Sequence, residues 1–393
     1  MRMFKRVTSL LLLSLFFNSL NPVFANEIPA SFSFTGAGFG HGVGMSQIGA
    51  KERAVQGESA TAILKYYYKD VEVAPVVDTA TIRVNIGNAL KQVTFSTTSA
   101  GTSLQLFHED QLLTTVANKK KLTLAISPDR KTIQGYNHSL LTLRWSGGVV
   151  PLVSVQGSGP VERFRYGYIQ IRVVKGALAV TNSLSLHDEY LLGISEVSSS
   201  WPAAMLEAQT IASRSFALSK MGSIKASCDC HLYSHISDQN FVGYAKEGEA
   251  RFGKIWRAAV LRTVVDSSTG LAILSEGKPI QAYYFSSSGG ATQTSADAWG
   301  GYTSYTQSVP DTASITTALN PRYASWRVAA SQALVAGAFG LPNVLSLEVM
   351  SRNSAGAVTW IKGTSTFGVS QVIRGDTFRS RAKLPSPWFS PAE

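Results

Sequence analysis

The chain has 393 residues, of which 45% are apolar and 16% charged, and a formal net charge of +11. That composition excludes a disordered chain and allows a sizeable core. The length fits two domains or one large one, at roughly 100–200 residues per domain. The basic excess favours anionic surfaces, such as wall polymers or acidic lipid headgroups. Nucleic acid is excluded as a partner, because no basic helix or basic-aromatic motif occurs.

Residues 1–25 read as an export signal. Arg2, Lys5 and Arg6 form a basic start, Leu11 to Phe17 is apolar apart from one serine, and Val23-Phe24-Ala25 fits a small-x-small cleavage site. The apolar run is shorter than the roughly 20 residues of a membrane span. The expectation is a mature chain outside the cytoplasmic membrane, secreted or associated with the envelope, with no transmembrane span. Cleavage removes three of the 36 basic residues and none of the 25 acidic ones, so the net charge falls from +11 to about +8.

Phe34 to Gly44 reads FTGAGFGHGVG, a run that bends tightly because glycine tolerates positive φ. Ser46 suits the N-cap of a helix ending near Gln56, and Ser59 that of a second one reaching Tyr68. Strands with period-2 alternation are predicted at 81–86, 122–126 and 168–173. Lys119-Lys120-Lys121 reads as a solvated turn. Pro202 suits the start of a helix rich in Ala, Met, Leu, Glu and Gln, with Met205, Gln209, Ala212 and Phe216 on one face. A helix is predicted over about 250–266 and a hairpin around Glu276–Pro279. Another helix is expected near 331–339, and a hairpin around Ala355-Gly356. Cys228 and Cys230, the only cysteines, lie one residue apart, a spacing that rarely meets disulfide geometry. No disulfide framework is therefore expected.

Three blocks together resemble the stage II sporulation protein D and LytB amidase-enhancer family. They are the word GHGVGMSQIGA at Gly40–Ala50, the block Tyr190-Leu191-Leu192-Gly193, Glu196, Trp201-Pro202 and Ala208-Gln209 to Arg214, and Ser286–Gly290 followed by Trp299-Gly300. Ile63-Leu64, the tyrosines 66–68 and the ending FRSRAKLPSPWF are also similar. In the sporulation protein the glycine word lies near the C-terminus, so the order here is permuted. Ser198, Phe216 and Phe285 replace a common proline, tyrosine and histidine.

The resemblance implies an α+β fold of twisted antiparallel sheets, with a central catalytic helix beside a substrate groove. Residues 26–70 would form the groove element, 71–160 a β-rich accessory region and 161–393 the catalytic core. It implies a lytic transglycosylase that cuts between N-acetylmuramic acid and N-acetylglucosamine in peptidoglycan and leaves a 1,6-anhydro end. The rival is a glycan-binding enhancer of a wall amidase. Glu196 is the expected acid, then base. Its pKa must be raised by burial, with Val197 and Trp201 as candidate dry walls, while the following helix N-terminus favours the anion. Arg214, Gln209, His41, Gln47, Ser287, Ser288, Gly289 and Gly290 are expected substrate contacts. For Arg214 a buried ion pair is the competing reading. No cofactor is required for this chemistry. Cys228, Cys230, His231 and His235 carry ligand types for a structural zinc ion, though CxCH is not a standard zinc spacing.

Overall fold

The computed structural model describes residues 27–392, so the expected export signal lies outside the described residues. Helices and several mostly antiparallel sheets make an α+β protein. Helix α1 (Gln47–Val55) is capped by Ser46, whose side chain accepts from the Gly49 N–H, and α2 (Ala60–Tyr67) is capped by Ser59. The long helix α3 (Ala203–Ser219) starts after Pro202. Short α4 (Tyr244–Glu247) leads into α5 (Ala250–Arg262), and α6 (Ser295–Trp299) is a single turn and a half. Helices α7 (Gln332–Phe339) and α8 (Gly375–Ala382) close the chain.

A seven-stranded sheet carries the middle of the molecule. Its central strands Thr81–Leu90, Ala177–Ser185 and Tyr168–Val174 take residues from both sides of position 160. Their alternation buries Ile82, Val84, Ile169 and Ile171 on one face. Strand Ser31–Gly36 pairs on one side with Trp326–Ser331 and on the other with Phe389–Ala392, so the start and end of the described chain share a sheet. A small separate core sits beside it, where Phe34, Phe378 and Phe389 pack ring against ring with centroids 5.5–5.8 Å apart.

Helix α3 lies in the main core. Met205, Leu206, Ile211 and Phe216 are all buried, each worth roughly 1.5–3 kcal/mol against exposure. It packs against α2, α5 and strand Thr269–Ser275. The predicted hairpin around Glu276–Pro279 is shorter than expected, since its second arm is only Lys278–Pro279. Tyr284–Phe285 instead pairs in parallel with Met45–Ser46, from the glycine word. No helix among the described residues is long and apolar enough to cross a membrane.

The cysteine expectation is overturned. Cys228 and Cys230 are bonded to each other, with Cα atoms 5.2 Å apart. Asp229 between them adopts a positive φ of 53°, which brings the two side chains to the same side. Arg83 and Arg172 both bind the Asp229 carboxylate and hold this turn against the sheet. The closed loop is very short, so its loss of unfolded-state entropy is small. Replacing both cysteines by serine is expected to lower unfolding free energy by about 1–2 kcal/mol in urea titration. A larger loss, or free thiols in the non-reduced protein, would refute this.

Candidate active site

Glu196 sits between two tight helical turns at Leu186–Gly193 and the N-terminus of α3. Leu186, Tyr190 and Leu191 are buried and anchor the turns. The segment is then fixed by a two-way pairing with the loop before α4. Ser195 N donates to Asn240 O (2.8 Å) and Asn240 Nδ2 donates to Ser195 O (2.7 Å). This pairing presents the Glu196 side chain to the same loop.

The carboxyl is half-buried and held through one oxygen. Oε1 accepts from Asn240 N (2.7 Å) and from Tyr284 Oη (2.9 Å). Oε2 has no hydrogen-bond partner among the described residues and is not sealed from solvent. Behind Tyr284 stands a buried chain of donors. Gln239 Nε2 donates to Tyr284 Oη (2.9 Å), and Tyr190 Oη donates to Gln239 Oε1 (2.7 Å). Burial raises the pKa of Glu196 above the ordinary carboxylate value, and the bonds from Asn240 and Tyr284 pull it back in part. Burial and the Glu196 charge push Tyr284 well above 10, so it remains a hydroxyl donor. Removing that donor takes away stabilisation of the anion. Tyr284→Phe is therefore expected to raise the Glu196 titration midpoint further, as followed by carboxyl ¹³C NMR. An unmoved or lowered midpoint would show that this hydroxyl does not bear on the acid.

Tyr284 also lines a groove of about 250 Å³, together with His41, Phe216, Lys220, Tyr283 and Trp299. Trp299 is 38% exposed, enough to offer a ring face. It lies 4.8 Å from the Tyr283 ring and 5.2 Å from His41. Such rings present flat apolar faces beside polar edges, which suits sugar rings. Burial, reinforced by Arg379, lowers the His41 pKa to about 3, so its imidazole is neutral. Its Nδ1 accepts from Val43 N–H (3.1 Å), which leaves the proton on Nε2. The glycine word can hold His41 here because Gly42 has φ +82° and no room for a side chain. An added Cβ there would lie 2.3 Å from the Trp388 ring.

Other expected contacts lie elsewhere. Gln47 is buried and reaches back to the Glu196 segment, its Nε2 donating to Gln209 Oε1 (3.2 Å) and to Glu196 O (3.5 Å). Gln209 is fully buried and donates to Ser213 Oγ (3.3 Å), so it supports Gln47 and does not face the groove. Arg214 is also fully buried. Its Nε donates to Asp78 Oδ2 (2.8 Å) and its Nη1 to Thr263 Oγ1 and Leu271 O (both 3.0 Å). It is a core ion-pair partner and no sugar contact. Ser287 and Ser288 have no exposed surface. Ser288 Oγ donates to the buried Asp311 carboxylate (2.6 Å), and Ser287 exchanges backbone bonds with Phe39. Gly289 packs under Trp388, where an added Cβ would meet the ring at 2.1 Å, and Gly290 adopts φ +117° beside Ile315. The serine-glycine turn therefore joins the glycine word to the chain end instead of lining a wall with hydroxyls.

The zinc expectation does not fit this structure either. The disulfide occupies both sulfurs, so neither Cys228 nor Cys230 is a thiolate ligand. His231 Nδ1 accepts from Arg83 N (3.0 Å) and His235 Nδ1 from Ser237 N (3.3 Å). Among the described residues, no three or more His, Cys, Asp or Glu side chains are grouped to hold a metal ion. Tyr284, Tyr190, Asn240 and Lys220 were not among the expected site residues. The one sequence signal pointing towards them was the Asp238-Gln239 pair after the cysteine segment.

The family model described as "SpoIID: Stage II sporulation protein" matches residues 174–269. That span holds Glu196, α3, the disulfide turn and Asn240. A protein named "Amidase enhancer" from Bacillus subtilis (strain 168) is 54% identical over 39 residues, 10% of this chain and 6% of that one. "Stage II sporulation protein D" from Bacillus amyloliquefaciens is 52% identical over 44 residues, 11% of this chain and 13% of that one. The aligned stretches thus cover a small part of either relative.

Proposed function

We propose, from the premise that this chain belongs to the stage II sporulation protein D and amidase-enhancer family, that it cuts peptidoglycan glycan strands as a lytic transglycosylase outside the cytoplasmic membrane. The observation that carries the reading is the asymmetric Glu196 carboxyl. Oε1 is saturated by two donors while Oε2 is free. A proton on the acid therefore resides on Oε2, the oxygen able to meet a ligand.

In that reading Oε2–H protonates the glycosidic oxygen between N-acetylmuramic acid and N-acetylglucosamine. The C1–O bond breaks with oxocarbenium character at C1. The Glu196 carboxylate, held by Asn240 and Tyr284, then takes the proton from the C6 hydroxyl, whose oxygen closes on C1. The sugar keeps a 1,6-anhydro ring, no water is consumed, and the acid is restored. The raised pKa supplies the protonated acid, and the two donors stabilise the anion formed midway. Trp299 and Tyr283 offer ring faces to sugars in the groove. Lys220 offers a cation to the lactyl carboxylate of a peptide-free strand.

A second reading draws support from the printed name of the Bacillus subtilis relative. The chain would then hold glycan for a partner wall amidase without cutting it. Incubation of purified chain with peptide-free glycan separates the two. Mass spectrometry should reveal 1,6-anhydro ends, whereas bound but intact glycan would leave the enhancer reading standing.

A further inference from the structure

Lys246, on α4, is only 4% exposed. Lysine is almost never buried this far unless paired, yet no carboxylate lies within salt-bridge distance of its Nζ among the described residues. The adjacent Glu247 is taken by Arg165 and Arg257. The Lys246 ammonium donates to the Val197 carbonyl (2.6 Å), that of the residue directly after Glu196. The ammonium also sits 5.0 Å over the ring of Trp256, which is fully buried and donates through Nε1 to Leu191 O (3.0 Å) at the other side of the same segment. A methylene-only side chain would fill this space without the cost of desolvating a charge. That cost is carried here, beside the segment that bears Glu196.

The neighbouring carbonyl is held as well. Gln47 Nε2 donates to Glu196 O (3.5 Å) and is steadied by Gln209. Consecutive carbonyls, those of Glu196 and Val197, are thus gripped by side chains from two distant parts of the chain. Each peptide plane so fixed removes freedom from the backbone that aims the Glu196 side chain. We propose that Lys246 is a positioning residue for Glu196, and that with Gln47 it clamps the backbone carrying the acid so that Oε1 stays on Asn240 and Tyr284 while Oε2 is left free. The assignment rests on the glycan-cleavage reading for its consequence in rate, but its geometric content does not.

Lys246→Met keeps the stem and removes the donor. In it, kcat on peptide-free glycan should fall about tenfold or more while KM stays within about twofold, since misaimed catalytic groups cost rate before binding. The carboxyl ¹³C titration midpoint of Glu196 should also move from its wild-type position, because its grip on Asn240 and Tyr284 loosens. That midpoint decides the matter. A folded Lys246→Met chain titrating at Glu196 as the wild type does overturns the proposal, whatever its activity. Should Lys246→Met not fold, Lys246→Arg takes its place. Its forked head retains a charge but cannot fit the same carbonyl geometry. A moved midpoint in a folded Arg variant supports the clamp. An unmoved one overturns it, as does failure of both variants to fold, which would make Lys246 purely structural. If the wild type releases no anhydro product, the cleavage reading fails, and the midpoint comparison still tests the clamp.

Discussion

Glu196→Gln should yield a folded chain that still binds peptide-free glycan and releases no detectable 1,6-anhydro product. Glutamine preserves the shape, and its Oε1 can still accept from Asn240 N and Tyr284 Oη as the native side chain does. What it lacks is the transferable proton on the atom that has no partner in the fold. General acid and base contributions are each about 10²–10⁴-fold, and here one group serves both steps, so a loss of about 10³-fold or more is expected. The stability sign is opposite. The folded-state pKa of Glu196 is raised, chiefly by burial. Its stabilising contribution is therefore complete below the ordinary carboxylate pKa and is lost as pH rises through the raised folded value. At neutral pH the charged side chain is a net cost, and Glu196→Gln should melt at the wild-type temperature or above it. The same shift predicts that cleavage declines on the alkaline side, as the acid loses its proton. Product from the Gln variant at wild-type rates would end the assignment of Glu196. So would a glutamine chain that unfolds, since a capping or structural carboxylate would behave that way.

Local chemistry was legible in the sequence, and long-range pairing was not. Ser46 and Ser59 cap their helices as their spacing predicts, because capping is settled within three residues. The Glu196 block could be recognised for a similar reason: its parts lie within one turn–helix unit. Tyr284 escaped notice because its position depends on Tyr284–Phe285 lying parallel to Met45–Ser46, far away in the chain. Nothing near Tyr284 in sequence records that pairing. The cysteine reading failed on a statistical rule. Adjacent-but-one cysteines rarely close, but the positive φ of Asp229 and its two arginine partners create the exception. The family resemblance implies substrate contacts for the serine-glycine turn. Its residues instead satisfy Asp311 and accommodate Trp388, neither of which composition could reveal.

Arg214→Met should destabilise the fold severely, by about 3–5 kcal/mol, the usual cost of removing one partner from a buried ion pair. Both side chains of the Arg214–Asp78 pair are fully buried, and Asp78 Oδ1 also contacts His187 Nδ1 at 2.5 Å. Without Arg214, the Asp78 carboxylate keeps that imidazole alone, and the carbonyls of Thr263 and Leu271 lose a donor. The native site is already imperfect, since Arg214 Nη2 has no hydrogen-bond partner among the described residues. Restoring neutrality should therefore recover part of the loss. Arg214→Met combined with Asp78→Asn is expected to be less destabilised than the two single changes added together, because the residues are in direct contact. Urea titration of the three variants measures this, with glycan affinity of the folded fraction as the second readout. That affinity should hold, because a side chain with no exposed surface touches no ligand. A folded Arg214→Met chain of wild-type stability and weakened glycan binding would return Arg214 to the groove and displace the ion pair as the reason for its place on α3.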